Sequence, residues 1–241
     1  LCQLAPLWEL SLHVAHLDHA LRPESADDAR FVANFAQKRS LPFYSSRLTP
    51  GIVDDDPRGL EAAARSVRYR FLREVAEQIA TKSGAPVTIA TAHHQDDQAE
   101  TLLMRMLRGS GIAGLSAMAR ESERDGVRLA RPFLDVSKAQ LIATLAKAKV
   151  GFADDPTNRD PHFTRPRLRA LMPALAAEGG DPRNLARLAA RLARANAAVE
   201  VLTDGAERYL ALRDRDASRS PFAAESSEAE SLDVRSFDAR A

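Results

Sequence analysis

The stretch PVTIATAHHQDDQAETLLMRMLRGSG, residues 86–111, carries the reading of the fold. Its first seven residues are short and largely apolar, the kind of strand found in parallel sheets covered on both faces. From about Asp96 to Arg108 the apolar residues recur at helical spacing, and the glycines of "GSG" end the run. A strand that hands over directly to a helix is the unit of an open α/β sheet, and such sheets bind ligands beyond the carboxyl ends of their strands. His93 and His94 stand at such an end, and Asp96 and Asp97 open the helix. Acids at a helix start are explained by capping and by the helix dipole, and either histidine alone by an ordinary core position. The group is harder to explain that way. Glu100 follows Asp97 by three residues on the same helix face, so His93 or His94, Asp97 and Glu100 are expected to converge on one crevice.

The pattern repeats on either side. "LSLHVAHLDHA" (10–20) begins as an alternating strand, and "SADDARFVANFAQKRS" (25–40) reads as a helix capped by Ser25 with Phe31, Val32 and Phe35 inward. "LPFYSSRL" (41–48) is a short strand, 50–59 a loop, 60–84 a long helix stopped at Gly84, 128–135 a weak strand and 137–149 a capped helix. Strands alternating with helices predict an α/β fold with a doubly wound, mostly parallel sheet. After about 150 the strands stop. Helices are expected over 164–177 and 182–213, and the Ser/Ala/Glu-rich stretch at about 218–233 reads as a flexible segment.

Composition narrows the class. The 241 residues are 45% hydrophobic and 28% charged, with net charge +1, ordinary values for a globular chain. The one cysteine, Cys2, excludes a disulfide framework or a cysteine-ligated metal cluster and suits a reducing cytoplasm. No apolar run reaches the length of a membrane span. The sequence opens at Leu1 and closes on "RSFDARA", and is expected to be a piece of a longer chain. Charge is uneven: between Arg159 and Arg194 eight arginines face three acids, a polyanion-binding stripe or a solvated helix face.

Two further clusters bear chemistry. His16, Asp18, His19 and Arg22 follow the first strand, as the histidines follow the later one. Arg65, Arg68 and Tyr69 share one side of the long helix. The His/Asp spacings match no zinc signature, and no G-x-S-x-G elbow supports a serine nucleophile.

Five stretches then occur in order: "HVAHLDHALRPES", "LEAAARSVRYRFL", "TAHHQDDQAETLLMRMLRGSGIAGLSAM", "RPFLDVSKAQL" and "ADDPTNRDPHFTRPRLRALMP". Together, over roughly residues 10–175, they closely resemble the tRNA(Ile)-lysidine synthetases, N-type ATP-pyrophosphatases of the PP-loop superfamily. The resemblance implies an adenine-nucleotide α-hydrolase-like fold and a ligase. Such an enzyme uses ATP to adenylate C2 of cytidine 34 in the CAU anticodon of tRNA(Ile). Free L-lysine then displaces AMP to form lysidine. It implies Asp97, Arg65 and His93 as catalytic residues, with Asp97 holding Mg2+ or orienting the lysine amine and Arg65 facing the phosphates. His16, His19 and His94 are implied at the ATP. Arg108, Gly109 and Gly111 of the "RGSG" turn, with Arg165, Arg167 and Arg169, are implied at the RNA. The implied partners are tRNA(Ile) and lysine, with no membrane, a homodimer admitted, and a cytoplasmic location. Residues 1–150 are then the catalytic domain and 151–241 a helical tRNA-contacting region.

Two departures go with the resemblance. The family loop S-G-G-x-D-S does not occur in this sequence and is expected upstream of Leu1. Pro166 stands where asparagine is usual between Arg165 and Arg167. The competing readings are another tRNA-modifying ATP-pyrophosphatase, such as a thiolase with paired cysteines, and a non-catalytic tRNA-binding fragment.

Overall fold

The computed structural model describes residues 1–20, 24–49, 59–153, 160 and 162–219. Arg22, the 50–58 loop, Asp154, Asp155, Arg159 and the expected flexible stretch beyond Arg219 lie outside the described residues. The chain forms two compact units. The first contains Leu1–Thr91 and Glu121–Ala130; the second contains Ala92–Arg120, Arg131–Ala148 and the helices of the C-terminal part. These units cut across a division at residue 150, which followed where strands end.

In the first unit, β1 (Val14–Asp18) and β2 (Phe43–Arg47) pair in parallel, Val14 opposite Phe43 and Asp18 opposite Arg47, with α1 (Ser25–Lys38) as the crossover. Ser25 is not its cap. Glu24 holds that position, and Ser25 lies inside the helix and is buried. Nor does Phe31 face inward, being 41% exposed, while Ala36 is fully buried. The helix α2 (Leu60–Ser83) buries Ala63, Val75, Ala76 and Ile79. It ends at Gly84, whose left-handed φ of 66° suits a residue without Cβ and whose amide bonds back to Ala80.

A second sheet holds β3 (Thr88–Ala90), β4 (Glu121–Arg124) and β5 (Val127–Ala130). β3 and β5 are parallel, with Ile89 opposite Leu129, and β4 runs antiparallel to β5. The fold is therefore α/β with parallel strand pairs, seen among the described residues as a two-stranded and a three-stranded sheet. Two readings change. β3 is not covered on both faces, for Thr88 and Ala90 are exposed and only Ile89 is partly buried. The second is a hairpin at β4, where the sequence suggests no strand: Asp125-Gly126 turns it, and both residues have positive φ, 51° and 76°, as a tight type I′ turn requires.

The second unit is helical: α3 (Gln95–Leu107), α4 (Ile112–Leu115), α5 (Lys138–Lys147), α6 (Thr164–Ala177) and α7 (Pro182–Arg219). Its core joins Leu102 of α3, Ala117 after α4, and Ala189 of α7, with Leu115, Leu185 and Leu192 packed around them. Truncating Leu102, 2% exposed, to alanine costs about 2–5 kcal/mol. The inward stripe of α7 is Leu185, Ala189 and Leu192 at i, i+4 and i+7; Leu188 falls off it and is 44% exposed. Asp181 starts α7 by accepting the Asn184 amide at 2.7 Å. Ser137 and Gln140 form a reciprocal capping box at the start of α5.

Candidate functional site

His94 sits at the N-cap of α3 with extended backbone, and its amide donates to Asp97 Oδ2 at 2.9 Å. The Thr101 hydroxyl donates to the Asp97 carbonyl at 2.7 Å. Asp96 turns the other way: its Oδ2 accepts the amide of Lys138, the first residue of α5, at 2.9 Å. Both acids thus hold helix starts together, as their helix-terminal position suggested. The His94 ring lies between them, Nδ1 3.5 Å from Asp96 Oδ2 and Nε2 3.5 Å from Asp97 Oδ2. These are charge contacts, longer than well-formed hydrogen bonds. Burial alone would lower the His94 pKa, but Asp96, Asp97 and Glu100 together raise it above 6.5. His94, in return, holds the Asp96 carboxyl below the usual carboxylate range.

One turn further along α3, the Glu100 side chain is 3% exposed. Arg169 donates to it from Nε at 2.5 Å to Oε1 and from a terminal nitrogen at 3.3 Å to Oε2. Arg165 reaches Glu100 Oε2 at 3.3 Å and Asp97 Oδ1 at 3.5 Å. A lone buried carboxylate is expensive; two guanidinium groups, one of them bidentate, offset that cost. Burial would lower the Arg169 pKa, and Glu100, then Asp97 and Asp96, raise it instead. His94, Asp97 and Glu100 therefore do converge, and two α6 arginines join them. His93 is half-buried beside His94 and is a member of the same strand-to-helix turn.

The arginines expected at the RNA divide by helix geometry. Arg165 and Arg169, at i and i+4, share the face of α6 that meets α3, whereas Arg167 at i+2 points away. Arg167 is exposed and donates to the His162 carbonyl at 2.9 Å. Pro166 occupies the first turn of α6, where its missing N–H would have had no helical partner. Arg187, Arg191 and Arg194 are exposed on α7.

The "RGSG" turn lies at the far end of α3. Gly109 has φ of 71°, the Gly109 amide bonds to the Met106 carbonyl at 3.0 Å, and the Ser110 amide bonds to Arg105 at 3.0 Å, a Schellman ending. Arg108, Gly109 and Gly111 are exposed, and a Cβ at Gly109 or Gly111 would meet nothing within 4 Å. The turn is anchored by side chains that the sequence did not single out. Arg105 donates to the carbonyls of Gly114 and Ala117 at 2.7 and 2.8 Å. Gln98 clamps both backbone groups of Met118, at 2.8 and 2.9 Å. A helical arginine and glutamine carry no sequence mark of such a role.

In the first unit, Arg65 stacks on Tyr69 with its guanidinium carbon 4.9 Å from the ring centroid. Asp18 is 4% exposed; burial works to raise its pKa, but the Ala20 amide, Ser25, Arg47 and His16 together lower it. His19 is half-buried, and burial followed by Arg68 pushes its pKa down, favouring the neutral ring. Arg65, His16 and His19 thus belong to the first unit, and the α3–α6 cluster to the second. Among the described residues no group of three or more His, Cys, Asp or Glu side chains could hold a metal ion. Both Asp97 oxygens already face donors, one an amide and one a guanidinium.

A PP-loop domain family model matches residues 1–175. The chain is 58% identical over 245 residues to a tRNA(Ile)-lysidine synthase of Bradyrhizobium diazoefficiens, covering 99% of this chain and 63% of that protein. It is 56% identical over 209 residues to one from Rhodopseudomonas palustris, covering 87% of this chain and 58% of that protein. The chain thus spans about three-fifths of the length of these relatives. Among solved structures, a U34-tRNA thiolase of Methanococcus maripaludis aligns with a TM-score of 0.55 at 13% identity, covering 74% of this chain and 60% of that one. That likeness shows the fold.

Proposed function

The chain belongs to the PP-loop domain family, and from that premise we propose that the protein it is part of is a tRNA(Ile)-lysidine synthetase. The observation that carries this is the 58% identity to the Bradyrhizobium synthase across 99% of the chain. The reaction is adenylation of C2 of cytidine 34 in a CAU-anticodon tRNA(Ile) by ATP, followed by attack of the ε-amine of free lysine and release of AMP. A cytoplasmic enzyme, and a homodimer, accord with this reading; among the described residues no helix is long and apolar enough to cross a membrane.

The side chains divide the work. Arg65 meets the phosphates of ATP, where a guanidinium offers paired donors to phosphate oxygens. His16 and His19 line the nucleotide, His19 as a neutral ring. In the second unit, the Asp97 carboxylate, held by the His94 amide and Arg165, is the group that orients the lysine amine. Magnesium, when bound with ATP, supplies charge neutralisation on the phosphates. Asp97 is the carboxylate that would hold such an ion beside phosphate oxygens and water, or orient the amine. The exposed "RGSG" turn and Arg167 face the RNA backbone, where glycine permits close approach.

The test is direct. Full-length protein is incubated with ATP, labelled lysine and a tRNA(Ile) transcript bearing CAU. Label in the RNA that depends on ATP is expected. Transfer of sulfur rather than lysine, or no ATP-dependent label, overturns the assignment.

A further inference from the structure

We propose that Tyr69 and Arg124 are positioning residues for Arg65: they hold its guanidinium in place for the phosphates of ATP. This rests on the reading of Arg65 given above. The observation is a shared ring. Arg65 lies over Tyr69 with its guanidinium carbon 4.9 Å from the centroid, and its terminal nitrogen donates to the Tyr69 hydroxyl at 3.4 Å. Arg124, at the end of β4, stacks on the same ring at 5.0 Å. Residues 65 and 69 are one helical turn apart, so the ring meets Arg65 by helix geometry alone. Arg124 arrives from elsewhere in the chain, carried by the tight Asp125-Gly126 turn.

Two guanidinium groups around one ring repel each other, and the structure supplies counter-charge. Asp125 Oδ2 lies 3.8 Å from Arg124 Nε and 3.8 Å from Arg73. Arg73 follows Tyr69 by one further turn of α2 and also contacts Glu77 at 3.5 Å. Tyr69, Arg73, Arg124 and Asp125 line one shallow cleft floored by Ile89 and Leu129. Tyr69 thus has Arg65 of its own helix and Arg124 of the hairpin as neighbours of one ring. An arginine that must meet phosphate loses less rotamer freedom on binding if its side chain is already held. A ring does this without neutralising the charge, because its quadrupole attracts the cation.

The test is a double-mutant cycle on the full-length protein, reading ATP affinity and, separately, KM for ATP, lysine and tRNA. Tyr69→Leu is expected to weaken ATP binding roughly 2- to 10-fold, the range of a part-exposed cation–π contact. KM for lysine and for tRNA should stay unchanged. Tyr69→Phe keeps the ring and should restore most of the affinity. Arg124→Ala should show a smaller loss of the same kind. In an Arg65→Ala background, Tyr69→Leu should add nothing. Equal losses in both backgrounds, or no rescue by Tyr69→Phe, overturn the proposal. So does an Arg65→Ala protein that binds ATP normally. Because ATP binding is measured directly, a protein that binds ATP but makes no lysidine refutes the functional reading while leaving the cycle decisive.

Discussion

Replacing Glu100 by glutamine removes one negative charge and almost no volume, so it isolates what the carboxylate does between α3 and α6. The Glu100 side chain is 3% exposed, and it receives Arg169 and Arg165. Taking one partner from a buried ion pair costs about 3–5 kcal/mol when the survivor is left buried and unpaired. Here the survivors are not fully buried: the Arg165 and Arg169 side chains are 29% and 34% exposed. They can turn toward water, and the glutamine carbonyl still accepts one hydrogen bond. The expected loss is therefore lower, about 2 kcal/mol. With a urea slope of about 2 kcal/mol/M, the unfolding midpoint should fall by about 1 M. Far-UV circular dichroism reads the midpoint, and amide exchange along α6 reads whether that helix opens first. The decisive comparison is with Arg169→Leu. If the two groups act on each other, the double variant loses less than the single losses added, by about 1–3 kcal/mol. Additive losses, or a Glu100→Gln variant within about 0.5 kcal/mol of the parent, would refute the claim that this carboxylate ties α6 to α3.

Asp97→Asn should abolish lysidine formation while lowering stability by only about 0.5–2 kcal/mol, the worth of a helix cap; normal turnover would leave Asp97 a structural residue that caps α3 and faces Arg165. His94 should make stability depend on pH. Its folded pKa is raised above the unfolded value near 6.5, so the extra stability is full below that value and lost as pH rises through the folded pKa. In urea melts, His94→Gln should therefore fall furthest below the parent in mild acid, with the gap closing above the folded pKa; a gap that stays constant with pH removes the charge argument. Arg167→Gln should flatten the slope of log tRNA affinity against log salt by roughly 0.9, one duplex phosphate contact. Arg165→Gln, committed to Glu100 and Asp97, should change stability more than slope, and the opposite ranking sinks this division of the α6 arginines.

What was legible in the sequence is what is local. The strand at 86–92 and the helix after it were read from spacing over a few residues, and both formed, though the strand is shorter. Gly84 and Ser137 act at the helix ends where their chemistry suggested. Ser25 failed because the helix starts one residue earlier, with Glu24 at the N-cap and no side chain capping it, and Ser25 is buried inside the helix. The inward stripe of α7 is not legible in the same way, because a 38-residue helix admits several apolar stripes, and Ala189 rather than Leu188 fits against Leu102 and Ala117. The candidate site shows the same boundary. The acids of α3 form one face at i and i+3, and the arginines of α6 form another at i and i+4, so each half is a readable pattern of one charge. Their meeting joins residues 65 and 69 positions apart in the chain. No periodicity reports that distance. Leu168, between the two arginines, is 5% exposed, so that face of α6 turns to the interior. Arginines flanking a buried leucine need a buried carboxylate more than a phosphate in solvent. Asp97 and Glu100 form the acidic helix face to which they pair.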